Sequence, residues 1–201
     1  MTVIGIDIGS QKTMMCADNA DILLTDTGSL SRPSLVAFMG RSRLVGEEAA
    51  PQIAGDSTIA LLNLLVGATK YQESLSPHTR VALSSSSRGL SAEVNYCDKK
   101  ETFSATSLLA IFIGKLYSRA VSVHGSDISL TFALPPSYSL SVARAYTEAC
   151  AIADIDTSRV AFVDATDCLV STYTRKLQAL RGAEKTNLEV IYIYMPIMLN
   201  D

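Results

Sequence analysis

A carboxylate, a glycine-led turn and a lysine stand together near the start of the sequence. In "TVIGIDIGSQK", Asp7 sits inside an otherwise apolar strand and is followed at once by Gly9, Ser10, Gln11 and Lys12. A carboxylate on a central strand must be paired, solvated or bound to a cation, because an uncompensated buried charge is strongly unfavourable. Gly9 allows a tight turn, and the residues after it offer backbone N–H groups and polar side chains at the strand's end. Such a turn can take the oxygens of a phosphate chain while the acid reaches its Mg²⁺ through water. The motif is short, so a plainer arrangement also stands: Asp7 pairs with a Lys or Arg and the turn is only a β-hairpin.

The elements that would position this group begin as a β-meander. "TVIGIDI" reads as a strand, "TMMCAD" and "DILLTD" as two more joined at Asn19-Ala20, "PSLVAFMG" as a fourth opened by Pro33, and "SRLVG" as a short fifth. A helix is expected from Glu47 to about Ala54, and another from Ser57 to Val66 with Gly67 at its C-cap. "SSSSRG" reads as a loop between the strands "RVAL" and "LSAEVNYC", and "KETFSA" closes that group. The longest helix runs from Ser104, its N-cap, to about Val123, with Leu108, Ile111, Phe112 and Leu116 on one face.

The last third alternates. Strand "DISLTFALP" leads to a helix from about Ser141 to Ala153, and strand "RVAFVD" to a helix from about Thr166 to Leu180, capped by Asp164 or Thr166; strand "LEVIYIYM" follows. Strict alternation of strand and helix indicates parallel pairing with right-handed crossovers. The expected fold class is therefore α/β, a mixed sheet covered by helices.

Composition narrows the partners. The 201 residues carry a net charge of −3 with no long block of one sign, which argues against nucleic acid and anionic membrane. A chain of this size buries roughly 70% of its unfolded surface and needs neither disulfides nor a metal to fold. Cys16, Cys97, Cys150 and Cys168 form no CxxC pair and read as reduced, mostly buried thiols of a cytoplasmic protein. No basic region opens a signal peptide, and the apolar run before Lys115 is far short of the ~20 residues that span a bilayer. Met14 and Met15 read as strand packing, His78 as a loop residue and His124 as a helix-end residue.

Four segments then show a resemblance. "IGIDIGSQ", "SRPSLVAFMGRSRLVGEEAAPQ", "SLTFALPPSYS" with its helix "ARAYTEACAIADI", and "RVAFVDATDCLVSTYTRKL" resemble successive parts of the nucleotide-binding domain of the 70-kDa heat-shock chaperones, in order and spacing, over residues 2 to 180. The resemblance implies one RNase-H-like lobe of the actin-like ATPase fold, an antiparallel meander followed by a parallel βαβα unit. It implies ATP or ADP with Mg²⁺ as cofactor, held by Asp7, Gly9, Ser10, Gln11 and Lys12, with Asp7 acting on Mg²⁺ through water. It implies a cytoplasmic role in protein folding and the stress response, with a chaperone of the 70-kDa heat-shock family or an unfolded client as partner. Ser10-Gln11, where the main chaperones have two threonines, and Thr166, where they have proline, look more like the large 110-kDa branch, which acts as nucleotide-exchange partner and holdase.

The departures from the family pattern are as informative. Asn63 occupies the position of a family lysine that reaches the γ-phosphate; an amide cannot supply its charge, so hydrolysis should be weak or lost. Asn63 also reads simply as the exposed face of a Leu-rich helix. Ala165, flanked by Asp164 and Asp167, stands where the family has an acid. Pro135 matches a lobe-coupling proline and Arg144 lies near a relay arginine, though a strand-to-helix turn and a solvated surface residue explain them as well. Residues 1–186 read as the first lobe and 187–201 as a family-unlike terminal strand and tail, with the second lobe absent. The expectation is an open face with an apolar segment, "IYIYMPIML", and self-association through it. The competing readings are a non-catalytic interaction module and a truncated, degenerate product without ATPase activity.

Overall fold

The computed structural model describes residues 1–18, 21–60, 62–66, 68, 80–86, 89–136 and 138–181. In chain order its elements are β1 (Thr2–Ile8), β2 (Lys12–Ala17), β3 (Arg32–Pro33), β4 (Val36–Met39), β5 (Ser42–Val45), β6 (Thr58–Ile59), α1 (Leu62–Leu65), β7 (Ala82–Ser86), β8 (Gly89–Tyr96), β9 (Lys99–Ser104), α2 (Ala105–His124), β10 (Ile128–Leu134), α3 (Leu140–Ile152), β11 (Val160–Asp164) and α4 (Ala165–Arg181).

The main sheet has the order β11-β10-β1-β2-β3. β1 pairs parallel to β10, from Thr2 opposite Ile128 to Asp7 opposite Ala133, and antiparallel to β2, from Ile4 opposite Ala17 to Ile8 opposite Thr13. β10 pairs parallel to β11. Successive side chains on a strand point to opposite faces. Ile4, Ile6 and Ile8 are buried, and they share one core with Leu108, Leu109, Phe112, Ile113 and Leu116 of α2 and with Ala145, Tyr146, Ala149 and Cys150 of α3. α2 is long and apolar enough to cross a membrane by length and composition, contrary to the sequence reading, but its apolar face is spent on this core.

Two smaller three-stranded sheets, β5-β4-β6 and β7-β8-β9, flank the main one. Phe38 of β4 stacks on Phe103 of β9 at 4.7 Å and meets Tyr96 of β8 edge-on at 5.4 Å, which joins them.

The alternating last third forms as its pattern predicts, with parallel crossovers. Ser104 caps α2 by accepting from the Ser107 N–H at 3.0 Å, and Asp164 caps α4 by accepting from the Thr166 N–H at 2.7 Å. Other expectations fail for local reasons. "DILLTD" is no strand: only Ile22 bridges to Cys16, and the chain then folds back through a Thr25–Ser29 turn held by the Thr25 hydroxyl. "PSLVAFMG" divides between two sheets, because Ser34 turns its N–H to the Gln11 carbonyl and Leu35 to Phe38 are buried on both faces. The helix expected from Glu47 is two 3₁₀ turns, Gly46–Glu48 and Ala50–Gln52, since Pro51 withholds the N–H an α-helix would use. The helix expected from Ser57 is β6 followed by one turn of α1; Thr58 and Ile59, β-branched at the start of the segment, pair with β4 instead. Ser84 to Ser86 extend β7 and are not loop. Gly67, His78, Asn19-Ala20, "LEVIYIYM" and "IYIYMPIML" lie outside the described residues.

One residue that the sequence reading passed over organises this side of the molecule. Arg32 is 1% exposed, and its guanidinium lies 3.6 Å from Asp26 and 3.4 Å from Glu47. Around it Arg119 of α2 pairs with Asp26 at 3.5 Å and donates to the Leu24 carbonyl at 3.0 Å, while Lys115 reaches Glu48 at 3.1 Å. The cluster fastens the 24–29 turn and the first 3₁₀ turn to α2. Gly46 makes room for it: its φ is +64°, and a Cβ there would lie 2.9 Å from Arg32 Cγ and Cδ. Gly46→Ala should therefore destabilise the fold by about 1–3 kcal/mol, read as a lower urea midpoint with an unchanged slope.

Candidate functional site

Open α/β sheets receive ligands at the carboxyl ends of their parallel strands, and here those ends carry Asp7 in the last two residues of β1, Pro135 just after β10 and Asp164 as the last residue of β11. The Gly9–Lys12 turn belongs to the same edge. Gly9 donates its N–H to the Lys12 carbonyl at 3.0 Å, and a Cβ on Gly9 would lie 2.8 Å from that oxygen. Only glycine closes the turn this tightly. Two bonds brace it from behind: the Ser34 N–H to the Gln11 carbonyl at 2.9 Å, and a buried contact between the Thr13 and Ser34 hydroxyls at 2.9 Å. Ser10 is half-buried, whereas Gln11 and Lys12 face solvent.

Asp7 corrects the sequence picture of an acid in a buried strand. The strand's isoleucines are buried, but the period of two turns Asp7 to the outer face, where it is exposed. It has no ion pair or hydrogen bond among the described residues, so the plain pairing with Lys or Arg is not what holds it. It opens on a cavity of about 490 Å³ between the outer face of the sheet and α4, walled by Met14, Cys16, Ala133, Val163 and Leu169. These apolar walls partly desolvate the carboxyl and raise its pKa above the ordinary aspartate value.

The first turn of α4 completes the edge. Asp164 spends one carboxylate oxygen on its cap, and Asp164 and Asp167 line a neighbouring hollow of about 690 Å³ with Tyr138, Phe162 and Cys168. Ala165 lines the Asp7 cavity. The remaining candidates lie apart. Asn63 of α1 borders neither hollow; it is half-buried, not on an exposed helix face, with Oδ1 buried and unpartnered among the described residues. Pro135 and Arg144 are exposed and border neither. Met15 is buried as strand packing, but Met14 points outward into the cavity wall. The thiols differ from expectation too: only Cys150 is buried, its pKa pushed up to about 11, while Cys16, Cys97 and Cys168 are exposed.

Sequence reasoning missed the cavity's second wall. Ala165, Cys168, Leu169 and Thr172 line it, and their spacing of three, four and seven is that of one helix face, a signal available in the sequence. The arrangement as a whole offers braced amides, one unpaired carboxylate for a hydrated cation and an apolar wall. An aspartate oxygen unpartnered among the described residues is the hard donor that Mg²⁺ takes, directly or through water, and the close approach of Gly9 to the Lys12 carbonyl holds the adjoining turn tight.

Comparison with known proteins identifies relatives of the chain by sequence. A sequence profile described as "Hsp70 protein" matches residues 3–166. The chain is 26% identical over 197 residues to a heat shock protein homolog of Saccharomyces cerevisiae, covering 93% of this chain and 28% of that protein. It is 30% identical over 124 residues to the heat shock protein hsp88 of Neurospora crassa, covering 58% and 18% respectively. It is 27% identical over 152 residues to the heat shock cognate 70 kDa protein 3 of Dictyostelium discoideum, covering 69% and 24%. The chain thus spans less than a third of the length of these relatives.

The raised Asp7 pKa has a signed consequence. Between its unfolded value of 3.8 and its higher folded value, the native state binds more proton than the unfolded chain, so this group's contribution to stability falls as pH rises through that window. Above the window the charged carboxylate opposes folding. Asp7→Asn should therefore raise the thermal midpoint at pH 7, and the gain should shrink toward zero as the pH is lowered to where Asp7 is protonated.

Proposed function

The chain belongs to the Hsp70 protein family, a family with the actin-like ATPase fold whose members bind ATP or ADP, generally with Mg²⁺, and from that premise we propose that it is an ATP-binding lobe with weak or no hydrolysis. The observation that carries the reading is Asp7: a carboxylate unpaired among the described residues, at the head of a glycine-closed turn and at the carboxyl end of a central strand that pairs parallel to β10. The backbone N–H groups of Ser10, Gln11 and Lys12 and the Lys12 ammonium would take phosphate oxygens. Asp7 would hold the water shell of Mg²⁺, which when bound neutralises phosphate charge. A braced turn serves this well, since donors fixed in advance lose little on binding.

Asn63 supports the weakness of hydrolysis. Its amide carries no charge to stabilise a departing phosphoryl group, and its half-buried place leaves the carbonyl without a partner among the described residues. Ser10-Gln11 and Thr166 favour the 110-kDa branch of the family, and with it a cytoplasmic role as partner of a 70-kDa chaperone or holder of an unfolded client. A second reading, a non-catalytic interaction module that also self-associates, rests on the outer face of the main sheet, where Val3, Met14, Ile22 and Leu169 remain 37–62% exposed.

Calorimetric titration with Mg²⁺–ATP and Mg²⁺–ADP tests the first reading. Saturable binding that EDTA removes and that Asp7→Ala weakens at least about tenfold, equivalent to ~1.4 kcal/mol, is expected. No heat up to millimolar nucleotide contradicts it. For the second reading, light scattering should show assembly that grows with concentration and that Leu169→Asp reverses; an invariant monomer contradicts it.

A further inference from the structure

Cys16 and Cys168 stand on two walls of the same cavity of about 490 Å³. Cys16 lies on the outward face of β2, and its Sγ leans over its β1 partner Gly5, where a Cβ would come within 3.2 Å of the sulfur. The missing side chain at Gly5 is thus the space into which this thiol projects. Cys168 lies on the helix face that Ala165, Leu169 and Thr172 present to the cavity. The Cys168 thiol is pushed up first by burial, then by Asp167, Asp164, Asp7 and Cys16. Cys97 on the β8–β9 turn and Cys150 inside α3 do not border the cavity.

The helical wall is the loosely held one. None of the described side chains of α4 from Ala165 to Lys176 is buried, and Leu169 and Tyr173 are 62% and 48% exposed. A helix draws most of its stability from a packed apolar face, and α4 has only part of one. The cavity beneath it gives room to settle, and none of its described side chains is a buried anchor.

We propose that Cys16 and Cys168 are a redox pair whose disulfide draws α4 onto the outer face of the sheet and closes the cavity on which Asp7 opens. Hydrogen peroxide supplies the oxidant: one thiolate attacks an oxygen, the O–O bond breaks and the first water leaves, and the second thiolate then attacks the resulting sulfenic sulfur, breaking its S–O bond and releasing the hydroxyl as the second water. The two sulfurs together give up two electrons and two protons, one S–S bond forms, and the peroxide leaves as two waters. A disulfide requires Cα atoms within about 7 Å, so the bridge ties α4 to β2 at that separation. This device goes beyond the nucleotide reading and does not depend on it.

The test is to treat the purified chain with hydrogen peroxide and digest it without reduction. The expected product is a disulfide joining the Cys16 and Cys168 peptides, retained in Cys97→Ser and lost in both Cys16→Ser and Cys168→Ser. Amide hydrogen exchange over residues 165–176 should slow by about tenfold or more in the oxidised wild type and in neither single variant. Both thiols are exposed, so these serine variants keep the fold. Separate oxidation of the two sulfurs, a bridge to Cys97 or between copies, or a Cys16–Cys168 bridge that leaves exchange in α4 unchanged would overturn the proposal.

Discussion

The structure depends on one strand being clasped from both sides. β1 takes parallel hydrogen bonds from β10 along one edge and antiparallel bonds from β2 along the other, so its register is fixed twice. A slip of a single residue would exchange its faces. With the register fixed, Ile4, Ile6 and Ile8 must point into the core and Gly5 and Asp7 must point out. The core and the candidate site are then two sides of the same seven residues, and neither can be rearranged without the other.

The two faces of the main sheet are unequally covered. α2 and α3 fill the inner side with aromatic and branched residues, including the edge-on pair Phe132 and Tyr146 at 5.3 Å. Among the described residues the outer side is covered by α4, which buries none of its described side chains. This asymmetry explains why Asp7 is exposed, why Met14 and Ile22 remain partly uncovered, and why a cavity opens beside them. Rigidity is concentrated elsewhere, in the braces behind the Gly9–Lys12 turn and in the ion cluster around Arg32. The Gly9–Lys12 turn is therefore held by well-packed structure, while the described side chains of α4 from Ala165 to Lys176 are not buried.

The sequence made the fold class readable because its strongest signals were local. β1, α2 and the alternating β10-α3-β11-α4 unit each carry a long periodic pattern or a cap, and each formed within a few residues of its expected limits. What was not readable depended on distant partners. Thr58 and Ile59 became a strand because β4 offered an edge, and Arg32 became fully buried because Asp26, Glu47 and Gly46 converge on it from three segments. The same limit applies at the site. Asp7 and its turn were evident from type and spacing, but whether the acid pointed inward or outward depended on which face α2 and α3 would cover. The cavity needed α4 to be placed over the sheet before its wall of Ala165, Cys168, Leu169 and Thr172 had meaning.

The central claim is that the Gly9–Lys12 turn and Asp7 together grip the phosphates of a Mg²⁺-bound nucleotide. Backbone amide chemical shifts, followed by NMR as Mg²⁺–ADP is added, test it most directly. The account predicts saturable shifts centred on Ser10, Gln11 and Lys12, with Asp7 following, and none of them without Mg²⁺. Saturable shifts that leave this turn unchanged and fall elsewhere in the chain would contradict it.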